Sequence, residues 1–500
     1  MKSIRGIIEK MTDRLNPIVV KELRQAVQGK FLIVVLICFL CLQLLAMGIF
    51  LIIDESISVS FDAGRNIFQV LLVILFGTCL LFVPAYTGLR LATERADADV
   101  DLLFITTLRP RSIIWGKFLA GFVLTVLLYS ACMPFMAFTY LLRGIDLPSI
   151  FVLLALDFIV VAVSLQGAIL IGCFPANRVF KVILGVGWLV LILAVFQLIT
   201  LFSFFLLRSG IGSQLDSWKF WRGALGVLGS GLALIGIFAL LSIALISPVS
   251  TNRALPVRIF ITAVWLLTGI GAAIWSIGVG NFVPIAVWAG SHILLHSIGL
   301  FIAISEREHL GWRIRRTIPR RPLLRPLAFL FYSGAAGGVA WSSLIIALTL
   351  LCMVGWLSAF PLMNTGSDME EGIGGLAVLG LYTFSYVLSA SLIRRTFLAD
   401  RVPSAYTWVI ALVLLGITTT IIPLGLFFLY GTWEKEWLVA SPLGSMLSSN
   451  SDVMPLSLTI ASFSVVFIGA LSLPWFFSQF ADFKPPREKA ASKPQTNESE

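Results

Sequence analysis

Twelve apolar stretches, each about 20 or more residues long, follow one another from Lys30 to Gln479. A helix needs that length to cross a hydrocarbon core of about 30 Å at about 1.5 Å per residue. Apolar runs between charged or Pro/Gly-rich breaks place the spans near 31–53, 67–89, 113–142, 149–174, 182–207, 223–246, 259–279, 282–304, 330–360, 373–393, 405–430 and 456–478. At the start of the ninth, Ala335, Ala336, Gly337 and Gly338 read either as interfacial backbone or as helix interior. The pattern predicts an all-α, polytopic membrane protein of about 12 transmembrane helices.

The 36 Lys and Arg residues set the expected orientation, because basic residues concentrate in cytoplasmic loops during insertion. With the N-terminus inside, 30 of them fall in cytoplasmic segments. Only Arg65, Arg143, Arg208, Lys219, Arg222 and Lys435 fall on the opposite side, where Asp54, Glu55, Asp368, Glu370 and Glu371 also lie. Both termini are therefore expected to be cytoplasmic. A net charge of +10 and 58% hydrophobic content suit basic loops facing anionic headgroups, and no nucleic-acid partner is needed to explain the charge. The first span follows about 30 polar residues and is too long for a signal-peptide core, so it is expected to act as a signal anchor. All six Cys lie within predicted spans, away from an oxidising aqueous compartment, and no disulfide framework is expected. The last 17 residues, rich in Lys, Pro, Ser and Glu, read as a disordered tail.

Catalytic signatures are missing from the chain. Gly29-Lys30 and Gly116-Lys117 are each followed by Phe and lack the earlier Gly of a phosphate loop, so no nucleotide site is expected and the chain is not read as an enzyme. His292 and His296, one helical turn apart, could share a metal ion, but no third ligand is evident; bonding to neighbouring helices is the plainer reading, and no metal is expected. Asp157 is the one carboxylate placed inside the hydrocarbon region. It is either a possible pathway residue or a side chain that reaches the headgroups or a helix neighbour. Glycines cluster in the sixth span (Gly223, Gly226, Gly229, Gly231, Gly236) and the seventh (Gly269, Gly271, Gly278), where they would permit close helix approach. Pro134 and Pro284 are expected to kink their spans.

The segments predicted to be cytoplasmic carry the most informative pattern. Asn16-Pro17 makes a good helix opening. After it Val19, Val20, Leu23 and Val27 recur at helical spacing, with Lys21, Glu22, Arg24, Gln25 and Gln28 on the other side. An amphipathic interfacial helix within residues 1–30 follows. Between the second and third spans, Glu94-Arg95 is followed by Asp97, Asp99 and Asp101, then Leu102, Leu103 and Phe104, then Thr106 to Lys117. Val100, Leu103, Phe104 and Thr107 share one helical face, which reads as a short amphipathic helix parallel to the membrane, or as a solvated linker.

These residues resemble the transmembrane permeases of type 2 ABC transporters. The likeness rests on Asn16-Pro17 through Lys21-Glu22-Leu23-Arg24, then Glu94-Arg95, Asp101-Leu102-Leu103, Thr107-Leu108, and Ile113 through Gly116-Lys117, and it covers roughly the first 145 residues. The resemblance implies that the interfacial helix and the loop after the second span contact a separate cytoplasmic ATPase. Glu94, Arg95, Asp101, Leu102, Leu103, Phe104, Thr107, Leu108, Gly116 and Lys117 would then belong to the ATPase-coupling segment. ATP and Mg would be bound by that partner and no cofactor by this chain. It also implies a bacterial plasma (inner) membrane location and export, and allows a homodimer or a second permease.

Such permeases usually carry six spans, so twelve suggest two fused halves, with 31–246 holding the coupling loop 90–112 and 247–483 holding the basic loop 305–329. Thr93-Glu94-Arg95 with Arg109-Pro110 matches Ser305-Glu306-Arg307 with Arg321-Pro322 at an offset of 212. Three function classes stay open: the ABC export permease, a twelve-span secondary transporter, and a membrane enzyme acting on lipid-linked substrates.

Overall fold

The computed structural model describes residues 16–53, 63–94, 109–142, 144–175, 177–248, 250–360, 367–442 and 453–486. Twelve of its helices are long and apolar enough to cross a membrane, and among the described residues there is no strand. The chain is an integral, multi-pass α-helical membrane protein. Its contacts divide it into two units, Met1–Ser247 and Pro248–Glu500.

The first unit holds a short helix, α1 (Pro17–Gln28), and six long ones: α2 (Lys30–Ile53), α3 (Ala63–Glu94), α4 (Pro110–Leu141), α5 (Leu147–Gly172), α6 (Arg178–Ser209) and α7 (Trp218–Ile246). Several begin or end outside the apolar windows, because a helix continues through polar turns as long as its backbone bonds are met. The core forms around α3, whose Phe68, Leu71, Leu75, Phe76, Cys79, Leu80 and Val83 are almost fully enclosed. α3 packs most extensively on α5, and α5 in turn on α7. The α3–α5 approach is close because two glycines face it. A Cβ at Gly88 would sit 3.0 Å from the Ala168 carbonyl oxygen, and one at Gly172 would sit 2.9 Å from that of Gly88. Where lipid is as apolar as the side chains, such close backbone contact supplies the attraction that water exclusion supplies elsewhere.

The second unit holds α8 (Ala254–Val279), α9 (Val283–Ala303), a short α10 (Arg325–Phe331), α11 (Ala335–Ala359), α12 (Ser367–Phe397), α13 and α14 (Val453–Asp482). α13 runs as Thr407–Gly416, a π-helical turn Ile417–Ile421, and Ile422–Tyr430. Pro423 lacks the N–H that would continue the ladder there, and wide turns are a usual way to absorb that loss. Counted from its own start, the second unit repeats the main pairings of the first: second span with third, second with fourth, and fourth with sixth.

The structure revises three sequence expectations. The ninth span starts at Ala335 rather than near 330, and the Ala335–Gly338 turn is buried helix. The chain breaks before it because Asn252 Oδ1 accepts the Ser333 N–H (3.0 Å) and a Glu306 carboxylate oxygen accepts the Gly334 N–H (2.6 Å), so these donors are satisfied outside any helix. Pro284 opens α9 in its first turn, where it costs no backbone bond and makes no kink. In the predicted glycine clusters, Gly231 and Gly269 meet tight neighbours, at Ile159 and Trp288, while Gly223, Gly229 and Gly271 face open space.

Candidate functional site

α1 begins as its sequence dictates. Asn16 Oδ1 accepts the Ile18 N–H at 3.1 Å, and Pro17 occupies the first turn, where its missing N–H is no loss. The other end of the Asn16 amide ties the cap to α4, donating from Nδ2 to the Ser112 carbonyl at 2.6 Å. Gly116 lets the two helices meet. A Cβ there would lie 2.9 Å from Ile18 Cβ and 3.0 Å from Asn16 Nδ2, contacts that a real side chain does not make.

One turn along α1, Glu22 faces inward, not outward with the polar residues as the spacing suggested. It is 7% exposed, whereas Val27, expected on the apolar face, is 63% exposed. The reason is Lys117 on α4, itself 5% exposed, whose Nζ lies 2.7 Å from Glu22 Oε1. The same ammonium lies 2.7 Å from Glu94 Oε2, at the last residue of α3. Arg90 Nε stands 3.3 Å from Glu22 Oε2 and 3.6 Å from Glu94 Oε1, and Arg90 also donates to the Tyr86 hydroxyl at 2.8 Å. Lys21 Nζ, more exposed, lies 3.7 Å from Glu94 Oε1. Two carboxylates thus share three cations, and each buried charge has an opposite partner in bonding contact. The cluster ties α1, α3 and α4 together at one end of the unit.

Of the residues singled out in the sequence, Asn16, Lys21, Glu22, Glu94, Gly116 and Lys117 therefore converge. Leu23 is half-buried against the core of this unit, and Arg24 is exposed. Arg95, Asp101, Leu102, Leu103, Phe104, Thr107 and Leu108 lie outside the described residues. Glu94 ends the helix before this segment, and Gly116 and Lys117 stand about two turns into the helix after it. Arg90 went unnoticed in the sequence. Its spacing of four from Glu94 on one helix was the available signal.

The second unit has an ion-paired centre of its own. Arg258 on α8 is 4% exposed and donates from Nη2 to Glu306 Oε1 at 2.6 Å, and from Nη1 to the carbonyls of Leu330 (2.9 Å) and Tyr332 (2.6 Å). Gly338 on α11 leaves room for the guanidinium, since a Cβ there would sit 2.5 Å from Arg258 Nη2. Nearby, Arg394 pairs with Glu308. Glu306 is the counterpart of Glu94 at the offset of 212, but its cation comes from the unit's first span instead of its third.

Two intramembrane groups remain. His292 shares a hydrogen bond with Thr268 of α8 at 2.9 Å, the neighbour-helix bond expected of it, while His296 Nδ1 meets the His292 carbonyl of its own helix at 2.8 Å. Among the described residues no group of three His, Cys, Asp or Glu could hold a metal ion. Asp157 is 1% exposed, and neither carboxylate oxygen has a hydrogen-bond partner among the described residues, so the expected reach to headgroups or a helix neighbour is not found.

No family model, curated protein or solved structure matches the chain.

Proposed function

We propose that the chain is the membrane-spanning permease subunit of an ATP-binding-cassette transporter, an exporter driven by a separate cytoplasmic ATPase. The observation that carries this reading is the link from Glu22 through Lys117 to Glu94. It fastens the N-terminal helix to the ends of α3 and α4, the two helices on either side of the segment resembling a coupling helix. A partner pushing on residues 95–108 would move all three helices as one body, because separating them would strand buried charges. ATP and Mg would be bound by the partner. Twelve spans divided between two units that repeat the same helix pairings support two six-span halves in one polypeptide.

A second reading is a twelve-span secondary transporter, favoured by the buried Asp157, which has no partner among the described residues. Copurification with the cognate ATPase decides between them. The permease reading requires a stable complex whose ATP hydrolysis depends on residues 95–108, and a carrier that moves substrate without any ATPase would remove it.

A further inference from the structure

Asp157 is the eleventh residue of the 26-residue helix α5, so about 15 Å of helix separates it from the nearer end. The helices packed on α5 leave the carboxyl without a cation. α3 contributes Cys79 and α4 contributes Tyr129, both within electrostatic reach of Asp157, and Cys132 of α4 lies within reach of those two. α6 carries no titratable side chain between Lys181 and Arg208, and α7 none after Arg222. The Tyr129 hydroxyl is also buried without a partner among the described residues, while its ring packs edge-on against Phe158. α2 adds Gln43, which donates from Nε2 to the Leu71 carbonyl (3.2 Å) and to Cys132 Sγ (3.4 Å) and whose own Oε1 has no donor among the described residues. Four helices thus turn polar groups into one buried interior.

An ionised carboxylate so enclosed, with no cation among the described residues around it, costs far more than the neutral acid. A hard metal cation would want several oxygen ligands, but two of the surrounding groups are thiols. The smallest donor that meets the need is a proton. We propose that Asp157 is a proton-binding site, which holds its proton while α5 is closed against α3 and α4 and gives it to water when α5 moves away from that pair. Uptake forms one O–H bond on a carboxylate oxygen, with the proton taken from water, and release reverses it. The inference is independent of what drives transport.

The test is infrared difference spectroscopy of the full chain in lipid nanodiscs, wild type against Asp157→Asn, across a pH series in sodium chloride and in choline chloride. The proposal expects a carboxylic-acid carbonyl band at neutral pH that is lost in Asp157→Asn. The band should shift on transfer to heavy water, give way to carboxylate bands at higher pH, and be indifferent to sodium. Tyr129→Phe, which keeps the ring packing, should move it. Should Asp157→Asn fail to fold, the assignment is made on wild type carrying carbon-13 aspartate, where the same band must shift. Carboxylate bands alone at neutral pH would overturn the proposal. So would a carbonyl band that never exchanges its proton, or one that sodium removes at constant pH.

Discussion

Lys117 Nζ and Glu22 Oε1 lie 2.7 Å apart although 95 residues separate them in the chain. Both side chains are buried, and this pair holds the N-terminal helix on the bundle. Removing one partner of such a pair typically costs about 3–5 kcal/mol, because the other charge stays buried and uncompensated. Lys117→Met and Glu22→Gln should each lower the thermal-melt midpoint markedly. In a double-mutant cycle the two losses should fall well short of adding, and strict additivity would mean that the contact contributes nothing.

Gly116→Ala puts a methyl group where Ile18 Cβ already stands at 2.9 Å. Overpacking of this kind costs about 1–3 kcal/mol. Since α1 is small and terminal, the expected result is detachment of α1 before loss of the bundle. Limited proteolysis should then cleave near residues 16–30 in Gly116→Ala under conditions that leave the wild type intact, while the remaining fragment keeps its helical circular dichroism.

In the second unit Arg258 makes bonds to two carbonyls and one carboxylate in a fork that a lysine ammonium cannot reproduce. Arg258→Lys should therefore be destabilising even though it keeps the charge. Gly338→Ala should mimic it by displacing the guanidinium, at a cost of about 1–3 kcal/mol. Equal melting of Arg258→Lys and wild type would show that the carbonyl bonds do not matter.

Orientation rests on the distribution of basic residues. A single Cys introduced at Ser367, on a background without native Cys, should react with an impermeant maleimide in intact cells, and one at Ser3 should not. The reverse labelling would place Glu94 and its neighbours on the side without ATP.

The twelve helices were legible because membrane span length and hydropathy are properties of local sequence. Likewise Asn16-Pro17 announced the start of α1, since capping is local. The side-chain partners were not legible. Helical spacing put Glu22 on the solvated face, and only the folded position of Lys117 turns it inward. The same holds for Asp157, whose isolation depends on which faces of α3, α4, α6 and α7 surround it. Gly88, Gly116 and Gly172, three of the glycines at close helix contacts, are not among those that cluster in sequence, because close approach needs one small residue at a crossing and does not require several in a row.

The claim that a separate ATPase drives this chain is tested most directly by reconstituting it with its cognate ATPase and following substrate-stimulated ATP hydrolysis, with Leu103 and Phe104 both replaced by Asp in a parallel sample. The account predicts no hydrolysis by the chain alone and stimulated hydrolysis by the complex. It also predicts loss of that stimulation in the double variant, with its melting temperature unchanged, because a docking groove gains about 1–3 kcal/mol from each large apolar side chain it buries. ATP hydrolysis by the chain alone, or undiminished stimulation in the double variant, would contradict it.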